Sequence, residues 1–436
     1  MTTHGLTRRF VFLRALRWLP LGLVLPFLVI TPQARGLSLG AIGAVFAVHS
    51  AVAIALEVPS GALADLVGRR RVLLAGAALT AVSLLVFAAA ESVPAFMASV
   101  ALLAAGRALI SGSLEAWYVD SLRLLDPAAP LSHGLSRGSA AEGVAMAVGS
   151  LISGGLVTLA GPAHDGGGAF SGYGIAALAG ALAAIGYLIA IAALVDEQYR
   201  RAGAPARPTP VRGRLAQIAA TARDEFRASV AVRVVVVTGI ALGMSFTAVE
   251  LLWQPHFADL LRDPDTHGVA FGALAAGSMF AAGAGAALSP RVRRSVGLRS
   301  GYLVALALGA VSVAVLGAPA AVAVFVPLYL LAYLTMGVAD PMHFELLNDA
   351  VGPTARATLI SAEALATQAG ALVANLAVGA LASTHGAPLV WLAAGALLGL
   401  TVLGVARPLY RAARTASAWP ASIQISQRPE AESRSP

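Results

Sequence analysis

The sequence predicts an all-α membrane protein, with twelve transmembrane helices in two pseudo-symmetric six-helix halves. Three observations carry this reading. Hydrophobic residues make up 58% of the 436 residues and charged residues only 12%, with a mean hydropathy of +0.78. A soluble domain carries about 25% charged residues, so there is too little charge here to cover a water-facing surface. Apolar runs of bilayer-crossing length recur along the chain, and the basic residues gather in alternate loops.

A helix needs about 20 apolar residues, at roughly 1.5 Å each, to cross a bilayer. Twelve runs meet this, near 10–31, 39–62, 71–90, 94–119, 138–160, 172–195, 232–256, 268–289, 301–317, 320–342, 357–382 and 388–406, the ninth being the shortest. Several contain Gly or Pro, which lipid-embedded helices tolerate when neighbours satisfy the freed backbone groups.

All 30 basic residues are Arg; 25 fall in the termini and every second loop, two (Arg35 and Arg262) in the opposite loops, and three within spans. The positive-inside rule then sets both termini in the cytoplasm and the protein in the cell membrane. The net charge of +8 is therefore topological, and no nucleic-acid partner is expected. Thr7-Arg8-Arg9-Phe10-Val11 resembles a twin-arginine export signal, but eleven further spans follow it, so it reads as basic anchors on a first helix.

The chain has no Cys and no Lys. Disulfides, thiolate metal sites, a P-loop lysine and Schiff-base chemistry are thereby excluded. His49 and His256 stand singly without metal-ligand spacing, so no metal and no cofactor is expected. Trp18, Trp117, Trp253 and Trp391 fall near span ends, where interfacial aromatics belong; Trp117 and Trp253 could alternatively stack on a flat substrate.

Residues 196–231 form the longest polar stretch between spans, with Pro205, Pro208, Pro210 and an Arg cluster. They read as a cytoplasmic linker with a surface helix near 214–228, and they divide the chain into halves 1–195 and 232–410. A disordered cytoplasmic tail is expected over 411–436. Residues 161–168 read as a flexible external loop. The halves share a pattern: Ala141-Glu142 in span five and Ala362-Glu363 in span eleven each open A-E-x-(V/L)-A-x-x-x-G-x-L. A duplicated six-helix unit is the plan of many secondary transporters, with the substrate site between the halves.

Between spans two and three, Gly61, Asp65, Gly68, Arg70 and Arg71 fit G-x-x-x-D-(R/K)-x-G-x-(R/K)-(R/K), with Leu66 departing from the expected basic residue. On these residues the chain resembles the major facilitator superfamily over essentially residues 10–408. The resemblance implies that Asp65 faces the N-terminus of helix eleven, near Thr354–Thr358, in the outward-open state. The alternative is an Asp65 paired with a neighbouring Arg as a topology anchor. The corresponding turn in the second half keeps Arg291, Arg293, Arg294, Gly297 and Arg299 but has no acidic residue. In span four, Arg107 followed by Gly112 resembles the motif R-x-x-x-G, one residue longer, whose Arg is implicated in proton coupling; a purely structural pairing is the alternative. Span five lacks the Gly-Pro of the antiporter motif and keeps Gly154-Gly155.

An ionisable residue inside a span is a candidate for substrate or proton work. These are Arg14 and Arg17 in span one, Glu57 in span two, Arg107 and Glu115 in span four, Glu142 in span five, Glu250 in span seven, Asp340 in span ten and Glu363 in span eleven. On a continuous helix, Arg107 and Glu115 lie close to one face, about 12 Å apart. Snorkelling at the inner surface is the alternative for Arg14, Asp120, Asp340 and Glu142. The resemblance implies that spans one, four, seven and ten line a central cavity.

These features together predict a monomeric secondary transporter moving a small molecule by alternating access. Proton-coupled export of amphipathic or apolar compounds is expected from the Ala, Val, Leu and Phe content of the spans. Uptake symport of an organic anion is the alternative, motivated by Arg14, Arg17 and Arg107. A membrane-embedded enzyme would need a convergent nucleophile or metal set, and a channel a ring of repeated polar residues; neither is found.

Overall fold

The computed structural model describes residues 2–161, 172–196, 220–221, 223–262, 267–318, 321–349 and 353–416, without the side chains of Val58, Ala62, Asp65, 353–357 and 412–416. Eleven apolar segments are long enough to cross a membrane, and Leu298–Ala314 is a shorter twelfth. No strand occurs among the described residues.

In the first half, α1 (Thr3–Val24) is followed by a 3-10 turn (Leu25–Phe27) and the short α2 (Ile30–Ala34). Then come α3 (Leu39–Val67), α4 (Arg69–Ala89), α5 (Val93–Ile110), α6 (Ser113–Leu125), α7 (Leu131–Ala160) and α8 (Gly174–Leu194). The second half holds α9 (Val230–Leu261), α10 (His267–Val296), α11 (Leu298–Ala314), α12 (Val322–Asp349), α13 (Pro353–His385) and α14 (Ala387–Ala416).

Two spans depart from the sequence expectation. The first loses regular geometry at Leu25–Val29, where Pro26 has no N–H to donate. The fourth is not one helix: α5 ends at Ile110, Gly112 adopts φ +71°, and α6 restarts at Ser113. That left-handed conformation suits glycine, which has no Cβ to clash. Ser113 donates its hydroxyl to the Leu109 carbonyl across the break, 3.0 Å away. Broken helices at membrane depth persist where protein or a cavity surrounds them.

The packing repeats from half to half. The first span (α1) packs on α7 and α8, as α9 packs on α13 and α14. Likewise α3 and α4 pack on α5, as α10 and α11 pack on α12. The halves meet along α3 with α13 and α7 with α10. The register agrees as well. A Cβ on Gly22 would come 2.5 Å from the Met146 carbonyl oxygen, and one on Gly243 would come 2.2 Å from that of Thr367. Both members of the second pair stand 221 positions after the first (243 − 22 and 367 − 146). Glu142 and Glu363 share this offset.

The end of the bundle carrying the α2–α3 and α13–α14 connections is packed shut. There Gly43 approaches Asn375, Gly379 approaches Leu39, and Gly154 approaches Gly268 and Gly272, backbone against backbone. Phe27, Tyr173, Trp253, Phe257, Phe271 and Phe325 fill the space inside these contacts. Toward the other end, Gly61 on α3 and Gly143 on α7 have nothing within 4 Å of a Cβ position.

Trp117, Trp253 and Trp391 lie at 0–1% exposure, which corrects their reading as interfacial anchors. Their rings fill interhelical space, and two of the indole N–H groups are spent on backbone: Trp117 donates to Asp196 (2.9 Å) and Trp391 to Ala248 (3.0 Å). Trp117 and Trp253 are thus also closed to a stacking substrate. Of the expected linker helix, residues 220–221 and 223–228 are helical; linker residues 197–219 and 222 and the tail beyond 416 lie outside the described residues, as do loop residues 162–171.

Candidate functional site

The first half gathers five of the predicted ionisable residues. Arg14 on α1 donates through Nη1 to Glu115 Oε1, and through Nε and Nη2 to Glu142 Oε2 at 3.1 and 2.8 Å. Arg17, almost one turn on, donates to the same Glu115 oxygen at 3.2 Å. Glu142 is therefore not a snorkelling carboxylate. The side chains of Arg14, Arg17, Glu115 and Glu142 retain 14–25% exposure, so the cluster is reachable.

The break at Gly112 explains how span four serves this cluster. Arg107 occupies the last turn of α5 and Glu115 the first turn of α6. Each charge thus complements its local helix dipole: a cation near the negative C-terminus, an anion near the positive N-terminus. The continuous-helix geometry expected for Arg107 and Glu115 does not hold. Glu115 turns to Arg14 and Arg17, while Arg107 lies 5.5 Å from the Trp18 ring centroid. Arg17 lies 5.5 Å from the same ring. Cation–π contacts of this kind are worth about 0.5–2 kcal/mol. Among the described residues Arg107 makes no hydrogen bond and no ion pair, yet its side chain is exposed. Arg17, Trp18 and Arg107, with Leu21, Thr80 and Leu103, line a small, partly open crevice of about 40 Å³. Three Arg against two Glu leave the region one positive charge in excess.

The second half answers with a different chemistry. Tyr302 on α11 bonds His343 Nδ1 at 2.7 Å, and His343 Nε2 bonds Glu363 Oε1 at 3.2 Å. Thr367 donates to the same oxygen at 2.9 Å. Glu250 on α9 accepts from the Tyr333 hydroxyl, which Tyr329 approaches at 3.4 Å. Asp340 on α12 is exposed, and Glu57 on α3 is half-buried with no bonded partner among the described residues.

The motif after α3 is partly visible. Gly68 turns the chain at φ +107°, and Gly297 does the same in the second half at φ +83°. Arg69 pairs with Asp120, so Asp120 is also not a snorkelling residue. Arg70 donates to the Ala192 carbonyl at 2.6 Å, and Arg71 is exposed. The side chains of Asp65 and of the first residues of α13, including Arg356, lie outside what is described.

Sequence reasoning missed His343, Tyr302, Tyr333 and Gln254. Gln254, on α9, is 1% exposed; its Oε1 accepts from the N–H groups of Val29 (2.8 Å) and Ile30 (2.9 Å), and its Nε2 donates to the Leu25 carbonyl at 2.9 Å. It satisfies the backbone freed where the first span unwinds. Among the described residues no group of His, Asp and Glu is placed to hold a metal ion.

Such a bundle, with paired halves and charges converging inside it, is that of a secondary transporter. The chain belongs to the Major Facilitator Superfamily, whose family model matches residues 10–342. Among curated proteins no sequence matches. Similar solved structures include the nucleoside transporter NupG (TM-score 0.71, 13% identity, 92% of this chain and 98% of that one). A bacterial homologue of the iron transporter ferroportin in an inward-facing state is similar at TM-score 0.70 and 16% identity, over 93% and 100% of the two chains. A D-xylose–proton symporter follows at TM-score 0.66 and 15% identity, over 91% and 96%. At these identities the likeness is one of fold. The protein is a transporter and not an enzyme.

Proposed function

We propose that this protein is a proton-driven transporter of small organic anions, working by alternating access between halves 1–195 and 232–410, with 196–231 as linker and 411–436 as tail. The observation that carries the substrate class is Arg107, a guanidinium exposed inside the bundle with no carboxylate of its own. A charge at this depth is costly, and Glu142, the carboxylate that bears on it, is already bonded to Arg14; a carboxylate, sulfonate or phosphate group entering the crevice would relieve that cost through a forked pair of hydrogen bonds. Trp18 beside it offers a face to the apolar part of the same molecule. This favours the anion reading over export of apolar compounds, for which a charge-free wall would suit better.

With the termini cytoplasmic, as the Arg distribution directs, the packed end is the external one and the conformation faces inward. The contact of Asp65 with helix eleven that the resemblance implies would form in the outward-facing state. The test is flux of a panel of radiolabelled aryl and alkyl carboxylates into proteoliposomes under an imposed pH gradient. Gradient-dependent flux that fails in Arg107→Gln and partly survives in Arg107→Lys is expected. A panel in which neutral amphipaths move and anions do not would overturn the reading.

A further inference from the structure

The internal repeat places Glu142 and Glu363 at equivalent positions, 221 residues apart, yet their partners differ. Glu142 is held by Arg14, which stays protonated at every physiological pH. That pair has a fixed charge. Glu363 is held by His343, with the two side chains only 10% and 6% exposed. A histidine ring can carry one proton or two, so this pair, unlike the first, contains a group with room for a further proton.

We infer that His343 and Glu363 form the proton-carrying pair of this transporter, with Tyr302 as the group that reads its state and exposed Asp340 as its port to the cavity. This rests on the proton-driven reading above. In the unloaded state Nε2–H of neutral His343 donates to the Glu363 carboxylate, and Nδ1 accepts from the Tyr302 hydroxyl. Hydronium from the open side delivers one proton to Nδ1 and leaves as water. The pair passes from one net negative charge to none, and Nδ1–H now donates to the Tyr302 oxygen. Release on the opposite side returns the proton to water and restores the first arrangement.

The groups that face this pair are few. Tyr302 comes from α11, Asp340 from α12 itself, where it interacts electrostatically with both members, and Thr367 from α13. From α9, Thr238 approaches Tyr302, and Gly239 lies so close that its Cβ would meet Glu363 Oε1 at 2.8 Å. Among the described residues, none of these groups is a cation, so none of them neutralises the charge change. The pair therefore bears on α9, α11, α12 and α13 together. One of them, α13, is also a boundary helix: it closes against α3 where Gly379 meets Leu39. A proton taken up at His343 acts, through the bond from His343 to Glu363, on the same helix that opens and shuts the far end.

The test needs no substrate. Spin labels on Glu91→Cys and Thr384→Cys, exposed on opposite halves at the packed end, report its opening in the otherwise Cys-free chain. The wild-type distance distribution should shift between about pH 5 and 8. His343→Gln and Glu363→Gln should each abolish the shift, and Tyr302→Phe should move its midpoint while keeping its amplitude. A wild-type shift retained in both variants, or lost only in Glu250→Gln, overturns this assignment and leaves proton drive intact. A wild-type protein with no shift at all removes the proton-driven reading itself. Should either variant misassemble, nitrogen-15 spectra of the wild-type imidazoles decide: a His343 of constant protonation over the same range overturns the proposal.

Discussion

The Gln254 carboxamide oxygen accepts the Val29 N–H at 2.8 Å across the boundary between the two halves. One side chain of α9 thus completes the backbone of the first span, at the end of the bundle that is packed shut.

Gln254→Leu should weaken that closure. It leaves two buried N–H groups, those of Val29 and Ile30, unsatisfied, each costing about 1–3 kcal/mol while the end stays shut. Opening hydrates them. An introduced Ser50→Cys, buried at that end, should label faster with a membrane-impermeant maleimide in the Gln254→Leu background. Equal labelling rates would show that Gln254 does not hold the closure.

Arg14→Gln should cost more than Arg17→Gln. Arg14 serves both Glu115 and Glu142, whereas Arg17 serves Glu115 alone. Breaking a fully buried pair costs about 3–5 kcal/mol, and the partial exposure here reduces that to about 1–3 kcal/mol. Thermal unfolding in detergent should rank the variants wild type, Arg17→Gln, Arg14→Gln.

Gly243→Ala and Gly404→Ala should move stability in opposite directions. At Gly243 the added methyl meets the Thr367 carbonyl at 2.2 Å, and nothing lies within 4 Å at Gly404. Overpacking costs about 1–3 kcal/mol, while replacing an uncrowded helical glycine by Ala gains about 0.5–1 kcal/mol. Melting temperatures should fall for the first and rise for the second.

Gly112→Ala should disturb span four without unfolding it. A side chain at φ +71° costs about 1–2 kcal/mol, which favours a continuous helix and turns Glu115 away from Arg14. Turnover should drop at unchanged expression. Normal turnover would mean the break is incidental.

Topology is testable by labelling. Cysteines introduced at 165 and 205 should react from outside and from inside, respectively. The opposite pattern would invert the membrane orientation.

The spans were legible because a bilayer imposes a minimum apolar length, and Glu142 and Glu363 exposed the repeat because charged residues are rare in such helices. The pairing of Arg14 with Glu115 and Glu142 was not legible, since it joins positions about a hundred residues apart in three spans. The break at Gly112 escaped because glycine is common in membrane helices and its sequence does not reveal the sign of φ. His343 escaped because a single histidine has no ligand spacing; its one signal was Glu363, on the next span of the same half. The tryptophans misled because a large ring near a span end suits either lipid headgroups or a packed interior.

Around its aromatic filling the far end closes by main chain on main chain: Gly43 against Asn375, Gly379 against Leu39, Gly154 against Gly268 and Gly272. Such contacts are indifferent to side-chain identity, provided the glycines stay. Substitutions among the residues lining the Arg107 crevice therefore leave these contacts untouched. On the function proposed above, the choice of cargo and the motion that carries it are separable properties of the molecule.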